Sequence, residues 1–115
     1  ILAWERHTPM PTFGQLISER RKELSLSQRE VAARLIKEDG QPISPQYLND
    51  VERDRRNAPG DDIIRQLGEV LQIDVDVLYN CAGELPPDLR CLDVGEDKIK
   101  EAFALFRREV KKSDR

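Results

Sequence analysis

Apolar residues recur every three or four positions along most of the chain, the spacing of helices that bury one face. Two early segments carry the capping-box pattern, a hydroxyl residue followed three positions later by Gln or Glu. These pairs are Thr12 with Gln15, and Ser27 with Glu30. The predicted inward residues are Phe13, Leu16, Ile17 and Leu24 in the first helix, and Val31, Ala32, Leu35 and Ile36 in the second.

Three further short helices are predicted downstream. The third begins at Ser44 as its cap, has Pro45 in its first turn, where a missing N–H costs nothing, and ends near Asp54. The fourth covers about residues 61–71 with two aspartates at its positive end, and the fifth follows Asp74 as its cap. The predicted inward residues are Tyr47, Leu48, Val51, Ile63, Ile64, Leu67, Val70, Leu71, Val75, Leu78 and Tyr79.

The segment GELPPDLRCLDVG is typical of a linker because it contains two prolines and two glycines. After it, Asp93 and Glu96 predict a capping box for a last helix that reaches about Lys112. One face of this helix is apolar and carries Ile99, Ala102, Phe103, Phe106 and Val110. No segment alternates as a strand does, so the predicted fold class is all-α, with five short helices, a linker and one amphipathic helix.

The length is enough for one compact domain but not for two large ones, and the composition predicts a small core under a highly charged surface. It has 115 residues, of which 38% are hydrophobic and 36% charged, and no apolar run approaches the ~20 residues that span a bilayer. Cys81 and Cys91 stand in no metal or redox spacing, so we expect reduced thiols in a cytoplasmic protein rather than a disulfide. Residues 1–9 do not start with Met and show no periodicity, so they are interpreted as a vector-derived leader with Met10 as the native start. The alternative is that residues 1–11 are a genuine N-terminal arm.

Catalysis is not expected from this sequence. The only histidine, His7, lies in the possible leader, and no nucleophile–base pair, glycine-rich phosphate loop or metal-ligand spacing occurs. No cofactor and no metal site are predicted.

The charge distribution says more than the net charge of −3. Residues 12–59 carry nine basic and eight acidic side chains, residues 60–96 carry two and nine, and residues 97–115 carry seven and four. The acidic middle of the chain would repel a polyanion, and we expect it to face away from one.

The stretches LISERRKELSLSQREVAARL and ISPQYLNDVERDRRNAPGDDIIRQLGEVLQIDVDVLY resemble the Cro/C1-type helix-turn-helix domain of the XRE family. The specific marks are Ser27-Gln28, Ala32, the run YLNDVERDRRNAP and the closing VLQIDVDVLY. The resemblance covers residues 12–82 and implies a five-helix, lambda-repressor-like DNA-binding domain. Residues 83–115 would then be a linker and a C-terminal amphipathic helix.

The third helix would enter the major groove of double-stranded DNA with its first turn, as this resemblance implies. Gln46 and Asn49 are side-chain types that pair with adenine, Asp50 can accept from cytosine, and Pro45 and Tyr47 can contact a thymine methyl group. The predicted phosphate contacts are Gln28, Arg29, Lys37, Arg53, Arg55 and Arg56. The family also implies that Glu52 pairs with an arginine of the first helices, either Arg20 or Arg34.

Each of these residues has a plainer interpretation. The arginines and Lys37 are also compatible with solvated helix ends, Tyr47 with the core, and Gln46 and Asn49 with an ordinary polar surface. Asp50 could be a surface residue or could orient Arg53. The segment LIKEDGQPIS is longer than the short turn usual in the family, which indicates either a longer second helix or a bulging loop.

The last helix has two possible partners. Its apolar face, with Ile99, Phe103, Phe106 and Val110 as anchors, either packs against a second copy or folds back on the domain. A homodimer would read two half-sites of a palindromic operator. We therefore expect a transcriptional regulator, acting as a dimeric repressor. The alternative is an antitoxin whose C-terminal region binds a toxin protein.

Overall fold

The computed structural model describes residues 10–112. The chain divides into two compact units, residues 10–87 and a smaller one that contains the described residues 88–112. The helices are α1 Phe13–Glu23, α2 Gln28–Ala33, α3 Pro45–Glu52, α4 Asp61–Leu71, α5 Val75–Ala82 and α6 Glu96–Lys112, with a 3-10 turn at Pro87–Leu89. Only an isolated bridge between Ile36 and Pro42 has β geometry in this part of the chain. The predicted all-α class is confirmed.

The interpretation of residues 1–9 as a leader, and the predicted place of His7 in it, lie outside the described residues. Within residues 10–112, no helix is long and apolar enough to cross a bilayer.

Local capping starts the helices where the sequence predicts. The Thr12 hydroxyl accepts from the Gln15 N–H at 3.1 Å, and the Gln15 side chain accepts from the Thr12 N–H at 3.0 Å. Ser27 and Glu30 form the same reciprocal pair at 3.0 and 2.9 Å. Ser44 caps α3 and Asp74 caps α5 through their side chains. These four predicted starts are confirmed.

The core of the larger unit is aliphatic. It joins α1, α2 and α3 on one side to α4 and α5 on the other, and α3 packs on both α1 and α2. The buried hydrophobic residues are Phe13, Ile17, Val31, Ala32, Leu35, Ile43, Leu48, Val51, Ile64, Leu67, Leu71, Ile73, Leu78 and Tyr79. Because α3 buries only Leu48, Val51 and Glu52, its first turn stays at the surface.

The start of α1 lies directly against the end of α3. A Cβ on Gly14 would stand 2.4 Å from the Val51 carbonyl oxygen and 2.5 Å from that of Glu52, so only glycine fits there. Asp54, at φ 58°, accepts from the Thr12 hydroxyl at 2.6 Å and from the Gly14 N–H at 3.1 Å. A carboxylate from the residues after α3 thus satisfies the positive end of α1.

Two predicted helix ends are corrected by the structure. The second helix stops at Ala33, so Leu35 is buried from the loop and Ile36, predicted to be inward, is 38% exposed. The third helix ends at Glu52 rather than near Asp54. The main reason is that the chain turns to make tertiary contacts there, which a periodic pattern does not encode.

The last helix, α6, begins at Glu96, and the Gly95 carbonyl accepts from the N–H of Ile99 at 3.2 Å. This bond places Gly95 at the cap, so the prediction of Asp93 as the cap is wrong. No residue of α6 is buried.

Candidate nucleic-acid interface

The first turn of α3 is directed outward. The Ser44 hydroxyl accepts from the Tyr47 N–H at 3.0 Å, and Pro45 occupies the first helical position. Ser44, Pro45 and Gln46 are exposed, whereas Asn49 is half-buried one turn later. The second half of α3 is therefore packed against the domain, and its first turn is exposed to solvent.

A polar cleft of about 580 Å³ lies between α1, α2 and α3. Its lining residues are Ser18, Arg21, Lys22, Ser27, Gln28, Asn49, Glu52 and Arg53. Two predicted phosphate contacts, Gln28 and Arg53, and one predicted base reader, Asn49, are thus brought together in one place.

A buried ion pair forms the floor of this cleft. Arg21 donates to the two carboxylate oxygens of Glu52 at 2.7 and 2.9 Å, and also to the Leu26 carbonyl at 3.0 Å. The side chains of Arg21 and Glu52 are only 11% and 4% exposed. A two-point pair of this kind fixes position as well as charge.

The predicted partners of Glu52 were wrong. Arg20 instead bonds Glu23 and the Gln72 carbonyl, and Arg34 is an exposed residue at the end of α2. Arg21 is the residue on the buried face of α1, since it follows Phe13 and Ile17 at intervals of four. That spacing is the signal by which the sequence could have identified it.

Gln28 links the ion pair to the reading helix. Its side-chain nitrogen donates to Glu52 Oε1 at 2.9 Å and to Asn49 Oδ1 at 3.0 Å. Asn49 Oδ1 also accepts from Arg53 Nε at 3.3 Å. Both N–H groups of the Gln28 amide are therefore engaged, and a phosphate contact by Gln28 would have to use its main-chain N–H.

A second cluster surrounds Asp50. Gln46 donates to Asp50 at 3.1 Å, and Arg55 and Arg56 each approach its carboxylate at 3.9 Å. The interpretation that Asp50 orients Arg53 is wrong, because Arg53 turns to Asn49 instead. The Asp50 carboxylate is thus near two exposed arginines, each at the distance limit of an ion pair.

Tyr47 has a divided role. It is half-buried and packs on the hydrophobic core, and the Arg56 guanidinium lies 5.2 Å from the centre of its ring. This distance is within the range of a cation–π interaction. The ring thus connects the core to a predicted phosphate contact.

The long segment before α3 is a tight loop, not an extension of α2. Ile43 donates to the Leu35 carbonyl and Lys37 to that of Gln41, at 2.9 and 2.8 Å. The Gln66 side chain of α4 donates to and accepts from the main chain of Ile36 at 2.8 and 2.7 Å. Lys37 is exposed near the loop base and lies 3.9 Å from Asp39. Arg29 is exposed on α2.

The predicted interface residues of α6 share one stripe. Ile99, Phe103, Phe106 and Val110 follow at intervals of four, three and four, which places them within an arc of roughly 60° on a helix. Phe103, Phe106 and Val110 are 39%, 60% and 51% exposed.

The other reactive groups of residues 10–112 are two cysteines and scattered carboxylates. Both cysteines are free, and burial raises the pKa of the Cys81 thiol. No group of three or more His, Cys, Asp or Glu side chains that could hold a metal occurs in the described ranges.

The larger unit is all-helical, and the first turn of α3 is exposed beside several arginines. This arrangement is typical of DNA-binding domains. The family model described as helix-turn-helix matches residues 17–78, and the chain belongs to this family, the Cro/C1-type (XRE) helix-turn-helix proteins. It is thus a DNA-binding protein of a class that regulates transcription. No curated protein and no solved structure matches the chain significantly.

Proposed function

We propose that this protein binds a specific sequence of double-stranded DNA through α3 and represses transcription as a homodimer. The observation that carries the proposal is the outward first turn of α3, flanked by exposed arginines. In this assignment residues 12–82 are the DNA-binding domain and residues 83–115 the linker and dimerisation helix. The proposed location is the cytoplasm, where the operator of a bacterium or phage would be.

Base reading is assigned to the exposed start of α3 and phosphate binding to the groups around it. The proposed base contacts are Pro45, Gln46, Tyr47, Asn49 and Asp50. The proposed phosphate contacts are Gln28, Arg29, Lys37, Arg53, Arg55 and Arg56. Asp50 has the additional task of holding Arg55 and Arg56, since it approaches both at 3.9 Å.

Two alanine pairs separate these roles. Replacing Gln46 and Asn49 is expected to reduce discrimination between the operator and random duplexes, because the lost groups face base edges. Replacing Arg55 and Arg56 is expected to weaken binding to all duplexes and to reduce the slope of log K against log salt by about 0.9 for each lost phosphate contact.

The measurement is a salt titration of binding to an operator selected from random duplexes and to a scrambled control. The helical circular dichroism of both variants should match the wild type, since the four side chains are outside the core. Equal losses of specificity in the two pairs would contradict the division of roles.

Dimerisation is assigned to the apolar stripe of α6. The stripe contains two phenylalanines, yet none of its residues is buried within one chain. In proteins most of the stability of an amphipathic helix comes from packing of its apolar face, so a partner surface would stabilise α6. A dimer also doubles the DNA contacts and raises affinity for a two-part site.

The test is Phe103→Glu, with Leu105→Glu as the matched control. Leu105 is 50% exposed but lies ~100° around the helix from Phe106 and farther from the other residues of the stripe. Sedimentation equilibrium should show a weakened dimer only for Phe103→Glu. A wild-type monomer that copurifies with a small toxin would instead support the antitoxin alternative, and equal effects of the two variants would argue against the stripe.

A further inference from the structure

The network in the polar cleft determines more than the position of Asn49. We infer that Asn49 is held with its oxygen turned inward and its NH2 group outward, so that it selects guanine rather than adenine, and that Gln28 is the residue that positions it. This inference rests on the proposed function, since it concerns which base α3 would select in the major groove.

The orientation of each amide follows from what its partners are able to do. The oxygen and nitrogen of an amide side chain differ little in shape, so hydrogen-bond partners decide which is which. Arginine only donates hydrogen bonds, and an ionised carboxylate only accepts them. The network begins with Arg21 donating to Glu52 and ends with Arg53 donating to Asn49, so both ends have a fixed direction.

Between these ends only one arrangement satisfies every group. Glu52 accepts, so Gln28 must present its nitrogen to it, at 2.9 Å. The same nitrogen donates its second hydrogen to Asn49 at 3.0 Å, so Asn49 must present its oxygen. Arg53 requires the same orientation, at 3.3 Å. Turning the Asn49 amide over would set its N–H groups against two donors.

The nitrogen of Asn49 remains available. It makes no hydrogen bond within the protein, and no buried side-chain nitrogen or oxygen in the described part of the chain lacks a partner. The Nδ2 atom therefore reaches solvent from the wall of the cleft, with two hydrogens to donate.

A donor-only side chain does not match adenine well. Recognition of adenine by asparagine needs one acceptor for N6–H and one donor for N7, whereas guanine presents two acceptors, N7 and O6. Asn49 Oδ1 already accepts two hydrogen bonds inside the protein, so only the Nδ2 donor remains for a base. This donor matches the acceptors of guanine, whereas the N6 amino group of adenine would face another donor. Gln46 differs, since its nitrogen bonds Asp50 and its oxygen is not used.

The experiment selects bound duplexes from a random pool with the full chain at low salt. Asn49→Ala identifies the base position that Asn49 reads, as the one whose preference disappears. At that position the wild type should prefer guanine over adenine by about tenfold, the size of a good two-point base contact.

Two variants test the cause. Asn49→Asp can still accept from Gln28 and Arg53 but has no N–H, so the guanine preference should be lost while the helical signal stays. The double variant Gln28→Ala, Arg53→Ala frees the amide, and the ratio of guanine to adenine should shift toward adenine. Any loss of phosphate contacts in these variants lowers all affinities together and leaves this ratio unchanged.

Three results would overturn the inference: adenine at the position that Asn49 reads, no preference lost in Asn49→Ala, or an unchanged guanine-to-adenine ratio in the double variant. If the double variant does not fold, Asn49→Asp alone decides between retention and loss of the guanine preference. Failure of the wild type to retain any duplex would remove the proposed function itself, which distinguishes it from failure of this inference.

Discussion

Replacing Glu52 by Gln is expected to destabilise the larger unit strongly. The substitution keeps the shape of the side chain but removes the charge that Arg21 contacts at 2.7 and 2.9 Å. Glu52 is 4% and Arg21 11% exposed, so little water reaches the charge that loses its partner. Removing one member of a buried pair leaves an uncompensated charge and costs about 3–5 kcal/mol.

That loss is large for a unit of this size. A domain of roughly 80 residues has a free energy of unfolding of about 4–12 kcal/mol. Each kcal/mol moves the midpoint of thermal unfolding by about 4–8 °C in this size range. The variant should therefore melt at least ~12 °C below the wild type, or be partly unfolded at room temperature.

The assay is urea unfolding followed by circular dichroism, with the slope m compared between variants to confirm the same transition. Glu69→Gln is the matched control, because Glu69 pairs with Arg65 at the surface and should change stability little. The double variant Arg21→Met, Glu52→Leu removes both charges and should recover most of the loss.

Two results would refute this reasoning. A cost below about 1 kcal/mol for Glu52→Gln would mean that the pair is effectively solvated. A double variant as unstable as the single one would mean that the volume and shape of Glu52, not the unpaired charge of Arg21, dominate. A stable double variant would also lack the carboxylate that orients Gln28, so its base preference should weaken although its fold is retained.

Three further predictions concern single positions. Gly14→Ala should destabilise the larger unit by about 1–3 kcal/mol, because its Cβ would overlap main-chain oxygens of α3. Gly60→Ser should stabilise it by a few tenths of a kcal/mol, since the site is open and no side chain caps α4. Thermal unfolding measures both, and a Gly14→Ala variant as stable as Gly60→Ser would contradict this reasoning. Hydrogen bonds from the main chain and hydroxyl of Ser27 hold the pKa of Glu30 below its ordinary value of 4.5. A carboxyl group whose pKa is lower in the folded state stabilises the fold at pH values above its unfolded-state pKa, and this contribution is lost as the pH falls. The wild type should therefore lose stability more steeply than Glu30→Gln between about pH 5 and pH 3. Urea unfolding that shows the same loss in both proteins across that range would contradict this prediction.

Much of the helical architecture follows from short-range chemistry. A capping box needs residues three apart, and a buried stripe needs residues three or four apart, so Ser27 with Glu30 and the apolar spacing of α4 indicate their helices without knowledge of the rest of the chain. The outward-facing start of α3 is predictable on the same grounds, since Ser44 and Pro45 are both signals within one helix turn.

The polar cleft was decided only by tertiary structure. Its bonds join Arg21 to Glu52 and Gln28 to Asn49, pairs that are 31 and 21 residues apart. The spacing from Phe13 and Ile17 places Arg21 on the buried face of α1, but only the packing of α1 against α3 brings Glu52 to it as a partner. The direction of the Asn49 amide depends in turn on that ion pair. Sequence by itself therefore determined where the helices begin and which faces are apolar, whereas packing decided what Asn49 can offer, because hydrogen-bond direction is set by partners distant along the chain.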